Sequence, residues 1–137
     1  MDFYIAEEGV PLTIGAEGAD VAYCGSEIEL HYETESPHGD FIFSAMLTIL
    51  NIELPFWIYG RNLIFLDAYY MVAETVEKNT WNPITTALVN IHMGKYASLG
   101  HWYNHISVKD KVELKNEFDG NSLVLNNIDK LKWISLR

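Results

Sequence analysis

The sequence contains one cysteine, Cys24, so no internal disulfide can brace the chain, and a reducing cytoplasm is the compartment to expect. Basic residues are missing from the first 60 positions altogether. That stretch carries eleven acids and no Lys or Arg, against eight acids and nine bases in the remainder, which together give the net charge of −10. A segment so one-sided repels polyanions; it argues against nucleic acid and an anionic membrane surface as partners and favours fast association with a basic protein. Long apolar runs are also lacking. The longest, 41–52, has twelve residues and stops before Glu53 and Pro55, too short to cross a bilayer as a helix. The start, Met1-Asp2-Phe3-Tyr4, has neither the basic region nor the apolar run of a signal peptide, so none is expected. No repeat, low-complexity tract or linker divides the chain.

What is present is enough for a core. Nearly half of the 137 residues are apolar, and four Trp, eight Tyr and six Phe exclude disorder as the main state. A chain of this length suits one domain that buries roughly two thirds of its unfolded surface.

The most regular stretch is 27–35, Glu-Ile-Glu-Leu-His-Tyr-Glu-Thr-Glu, whose strict alternation fits a strand and not a helix. An extended chain puts Glu27, Glu29, His31, Glu33 and Glu35 on one face, with neighbours roughly 6–7 Å apart. Each like-charge neighbour pair then costs on the order of 0.6 kcal/mol in water before screening. A surface that keeps such repulsion suits a positively charged partner, although a solvated acidic edge is the plainer use of it.

Elsewhere, Asp2–Ala6 reads as a first strand and the glycines between Gly9 and Gly18 as loop. The run 41–50 fits a buried helix and a doubly covered strand equally well. Phe56–Tyr59 and Leu63–Leu66 flank Gly60-Arg61-Asn62 as a hairpin would, and Leu63–Val76 reads as one long strand. A turn follows at 77–83, and then a hairpin of Ile84–Ile91 and Tyr96–Leu99 turned at His92–Lys95, with Gly94 at positive φ. Three further strands, 106–108, 112–118 and 122–126, are separated by Lys109-Asp110-Lys111 and Asp119-Gly120-Asn121. The tail 129–136 suits a short helix or an edge strand. The fold expected is therefore mainly β: a single domain over 1–137 of antiparallel sheet with hairpins and at most one or two helices, with α+β as the alternative.

The Ile91-His92-Met93-Gly94-Lys95-Tyr96 hairpin, the Phe118-Asp119-Gly120-Asn121-Ser122 turn and the acidic first half resemble small immunity proteins encoded beside bacterial contact-dependent or secreted toxins. The likeness covers the last two fifths of the chain and carries no functional residue across. It implies a cytoplasmic inhibitor that binds one toxin domain, such as a nuclease, and has no chemistry of its own.

Motifs for chemistry are weak by comparison. Thr13–Gly18 lacks the Lys of a P-loop and the spacing of a dinucleotide fingerprint. His101 and His105 are spaced for a metal on a helix, yet Trp102 replaces the Glu of the zinc peptidase motif, and on a strand the two stand roughly 13 Å apart. Glu29 and Glu33 around His31 could serve as acid and base, as in a small hydrolase, although an exposed strand more often leaves such groups solvated. Cys24 is expected to be a buried thiol. The expectation is a non-enzymatic binder without cofactor or metal. Its candidate contact residues are Glu27, Glu29, His31, Glu33, Glu35, Trp57, Tyr59, Tyr69, Trp102 and Tyr103, the aromatics offering large contact area with little rotamer entropy to lose.

Overall fold

A computed structural model describes residues 2–137. Fourteen strands follow in chain order: β1 (Asp2–Ile5), β2 (Ala19–Tyr23), β3 (Ser26–Glu35), β4 (Phe41–Leu47), β5 (Ile52–Glu53), β6 (Trp57–Tyr59), β7 (Ile64–Phe65), β8 (Tyr70–Val76), β9 (Pro83–Asn90), β10 (Lys95–Ser98), β11 (His105–Val108), β12 (Val112–Lys115), β13 (Ser122–Leu125) and β14 (Ile134–Ser135). Among the described residues the only helical element is a 3-10 turn at Ile128–Lys130, so the protein is mainly β and the α+β alternative falls. Eleven strands form one sheet with the path β1-β2-β3-β4-β6-β8-β9-β10-β14, β5 pairing with β4 and β7 with β8, while β11-β12-β13 form a second. Every pairing is antiparallel except that of β1 with β2.

The large sheet curls around one apolar face. Val21, Ile28, Leu30, Phe43, Ala45, Ile58, Met71, Ala73 and Val89 point into a common core with Ile14, Leu63 and Phe65. The segment after β1 closes it: Gly9 N donates to Phe65 O, Leu12 bridges Leu63 and Ile14 N donates to Gly60 O. The curl also brings the start of β3 to the β9–β10 turn, where Ser26 and His92 hydrogen-bond at 2.9 Å. On the opposite face, Val72 and Leu88 meet Tyr103, Ile106, Leu114 and Leu125, so the three-stranded sheet covers β7–β9. Strands buried on both faces read as continuous apolar runs, which is why 41–50 and 63–76 show no clean period. Phe41–Leu47 is such a strand.

Several local expectations hold. Gly94 turns β9 into β10 with φ of +69°, and Gly120, with φ of +79°, lies in the link between β12 and β13. The tail supplies both suggested elements, the 3-10 turn and an edge strand, β14, on β10. Others need correction. Leu63–Val76 is broken at Asp67, whose Oδ1 accepts from the Tyr69 and Tyr70 amides and turns the chain so that β7 folds back on β8. The pair around Gly60 is no hairpin, because β6 lies between β4 and β8 while β7 pairs with β8 alone. Strand β2 went unforeseen. Its tight turn into β3 is made by Cys24 and Gly25, with φ of 47° and 80°, and the Cys24 thiol is exposed, not buried. Cysteine seldom takes the left-handed conformation such a turn requires, so the usual signal was missing.

Gly60 is required for a different reason. A Cβ built there would overlap the Phe43 ring, which is fully buried. Gly60→Ala is therefore expected to destabilise by about 1–3 kcal/mol, as overpacking does. Urea denaturation measures it, and an unchanged midpoint would refute the close packing of Gly60 on Phe43.

Candidate functional site

Cross-strand register builds the first candidate surface. Paired residues share a face, so Phe3, Asp20, Glu29, Met46 and Glu53 form one row across β1, β2, β3, β4 and β5. Ile5, Ala22 and Glu27 form the next. This is the face that the small sheet covers further along, but over β1–β3 and at Met46 of β4 it is open: Phe3 is 63% and Ile5 75% exposed. Asp20 and Glu29 stand directly opposite each other, a like-charge placement that is unfavourable by a few tenths of a kcal/mol or more. His31 Nε2 lies 2.8 Å from Glu29 Oε1, both side chains well in solvent. The five-residue acidic face predicted from the alternation does not survive intact. Register shifts between Tyr32, opposite Phe43, and Thr34, opposite Ile42. Glu33 is the extra residue and accepts from Ser44 Oγ at 2.7 Å. Beyond this bulge, Glu35 pairs with Phe41 and turns to the other face.

The second candidate is a cleft of about 740 Å³ where the open face meets the small sheet. The turn after β3 delivers Asp40: Ser36 N donates to Asp40 O, and Asp40 N to Ser36 Oγ. Arg61 follows β6 and donates from Nη1 to Asp40 Oδ1 at 2.6 Å and from Nε to Glu74 Oε2 at 3.3 Å. Its guanidinium lies 4.5 Å from the centre of the Tyr59 ring and 5.9 Å from that of Trp102. Glu74, on β8, has no solvent exposure, and receives further bonds from Trp102 Nε1 at 2.6 Å and Asn62 Nδ2 at 3.4 Å. All its partners are donors, which is the arrangement that holds an ionised carboxylate. Burial nevertheless pushes the Glu74 carboxyl above its ordinary value, against the Arg61 guanidinium and the other donors. For Arg61, burial acts downward, but Glu74 and Asp40 overrule it and hold the guanidinium above its ordinary value. Outside this group Trp102 stacks on Phe118, with planes 8° apart and centres 6.1 Å apart.

The structure divides the predicted contact residues. Glu27, Glu29, His31 and Glu33 lie on the open face and Glu35 does not. Trp57 is half-buried near Thr34 at the end of the acidic strand, and Tyr59 and Trp102 line the cleft. Tyr69 is exposed but packs on Tyr70 and His92, away from the acids. Tyr103 is 3% exposed, with its ring in the core between the sheets, so it offers no contact surface. His105 faces Glu117 at 3.6 Å, and among the described residues no group of three or more His, Cys, Asp or Glu is arranged to hold a metal ion. Sequence reasoning missed Asp40, Arg61, Glu74, Trp81 and Phe118. Two signals were available: Glu74 is an acid inside an apolar run, and Arg61 is the first base in the chain.

The network yields two expectations. Glu74→Gln removes the charge from a carboxylate with four donors, yet leaves Arg61 with Asp40 and partial solvent, so the loss should be about 2–3 kcal/mol. The folded state holds the Glu74 proton more tightly than the unfolded chain, because its value is raised. Its contribution to stability is therefore full below the ordinary 4.5 and falls as pH rises through the folded value. Denaturation of wild type and variant between pH 4 and 8 tests both, and the downward contribution just above 4.5 should be absent from Glu74→Gln.

No protein-family model matches the chain, and neither a curated protein nor a solved structure matches it.

Proposed function

We propose that the protein is a non-catalytic binding protein of the immunity type, which neutralises a basic protein, such as a nuclease toxin domain, by covering it with the open acidic face. The observation that carries this reading is the row Phe3-Asp20-Glu29-Met46-Glu53, which sets like charges opposite one another beside exposed apolar side chains. Neither feature helps the free protein fold. Both become favourable against a surface of Lys and Arg with an apolar centre, where Asp20, Glu27, Glu29 and Glu33 gain partners and Phe3 and Ile5 leave water. Trp57, half-buried beside Thr34 at the far end of the same strand, supplies an aromatic anchor of the kind that dominates interface energetics. The Glu29–His31 pair, a candidate for acid–base work, lies on this exposed face and outside the cleft, so it is assigned to binding.

The eleven acids in the first 60 residues argue against nucleic acid as a ligand, and no helix among the described residues is long and apolar enough to cross a membrane. A reducing cytoplasm suits a chain with one exposed thiol.

The test uses the protein encoded by the neighbouring reading frame, and any basic protein that co-purifies with the tagged chain from its own cells. Association should slow as salt rises. The variant Asp20→Asn, Glu27→Gln, Glu29→Gln, Glu33→Gln should lower the on-rate at low salt about tenfold or more and flatten its salt dependence. If that variant folds and binds the same partner with unchanged rate, affinity and salt dependence, the acidic rows are only a solvated surface.

A further inference from the structure

We infer that the cleft around Arg61 is a binding site for a neutral saccharide, independent of the acidic face. Two sets of groups meet there. The floor is polar and held in place: Arg61 is fixed by Asp40 and the fully buried Glu74, and by its position against Tyr59 and Trp102. The rim is aromatic and largely in water: Trp81, whose Nε1 donates to Thr34 Oγ1, is 54% exposed, and Phe118, stacked on Trp102, is 81% exposed.

The chemistry of the ligand follows from what the floor leaves unbonded. Arg61 has five N–H groups and uses three, one on Asp40 and two on Glu74, so two remain. Asn104 Nδ2 and the Ser36 hydroxyl proton have no partner among the described residues, and neither has the second oxygen of Asp40. A cation brings only donors and would leave the spare N–H groups of Arg61 and of the Asn104 amide without acceptors. An anion meets no free charge, because the two carboxylates of Asp40 and Glu74 outweigh Arg61 and the whole chain carries −10. Hydroxyl groups both donate and accept, and therefore satisfy this mixture. A sugar ring also has an apolar C–H face, which the exposed rings of Trp81 and Phe118 can cover while the hydroxyls reach Asp40, Arg61 and Asn104. The cleft volume of about 740 Å³ is ample for one or two such rings.

The buried Glu74 then has a purpose that stability does not provide. A carboxylate without solvent is costly, and an apolar residue there would often serve the fold as well. What Glu74 does is orient Arg61 and, through Trp102 Nε1, the wall on which Phe118 stacks. It is a positioning residue for the site.

The experiment titrates the whole chain with glucose, galactose, mannose and N-acetylglucosamine as methyl glycosides, and with their β-linked and α-linked disaccharides. Tryptophan fluorescence and the indole N–H resonances in NMR spectra are the readouts. At least one sugar should bind at millimolar or tighter concentration and shift the Trp81 and Trp102 indole signals. Trp81→Ala and Phe118→Ala change largely exposed side chains and should stay folded with only a small drop in melting temperature, and each should weaken that binding about tenfold, corresponding to about 1.4 kcal/mol. Binding by none of the sugars overturns the inference, as does binding that both variants leave unchanged. Shifts of the same indole signals by N-acetylarginine amide, with no response to sugars, would overturn it in favour of a cation cage. These outcomes are separate from those of the salt experiment, which concerns a different surface and a different ligand.

Discussion

A buried carboxylate holds the junction of the two sheets. Glu74 rises from β8 beneath the three-stranded layer and accepts from Arg61 and Asn62 in the segment after β6, and from Trp102 just ahead of β11. Asn62 also donates to Asn104 O, which ties the same segment to the small sheet a second time. Asn62 itself sits in the left-handed region, with φ of 51°. One side chain therefore fixes the distance between layers and the course of the connection that crosses between them. Such pairs seldom add net stability over an apolar core, because desolvation offsets most of the attraction. Their contribution is to specify one arrangement, since any shift of the small sheet would leave a charge without its donors.

The division of the molecule into a covered and an open half follows from the curl of the large sheet. Its inner face is filled from β2 to β9, whereas its outer face is filled only where the small sheet lies. Strands in the second region are apolar on both sides, as Met71–Ala73 are, and strands in the first alternate, as 27–30 do. Charge follows the same boundary. Five acids of the first half, Asp20, Glu27, Glu29, Glu33 and Glu53, gather on the uncovered part of the face, and the first base in the chain, Arg61, stands where cover begins. The cleft exists because the two regions meet at an edge and not in a continuous layer. Its aromatic rim is drawn from both of them, Trp81 from the β8–β9 loop and Phe118 from the link between β12 and β13.

Much of the fold was legible in the sequence because it depends on local geometry. Alternation over 27–35 reports a half-covered strand, and the glycines at 94 and 120 report turns that need positive φ. The acidic character of the first 60 residues is a matter of composition alone. These features require no knowledge of what lies across the sheet, so the chain states them directly.

Pairing partners, bulges and the site itself were decided by tertiary structure. Phe56–Tyr59 and Leu63–Leu66 look like two arms of a hairpin, yet instead of pairing with each other both pair with β8, β6 at Thr75–Val76 and β7 at Met71–Val72. Nothing in 27–35 marks Glu33 as the residue that slips, since the bulge is defined only by the register against β4, where the Ser44 hydroxyl meets Glu33. The cleft joins residues 40, 61, 81, 102 and 118, with Glu74 buried behind Arg61, and no spacing rule connects them. Composition and period determined that this chain is an acidic β protein with one alternating, half-open strand, because those properties act over neighbouring residues. Which carboxylate is buried, which faces water, and which aromatic rings surround Arg61 depend on contacts between residues far apart in sequence, and only the closed fold sets them.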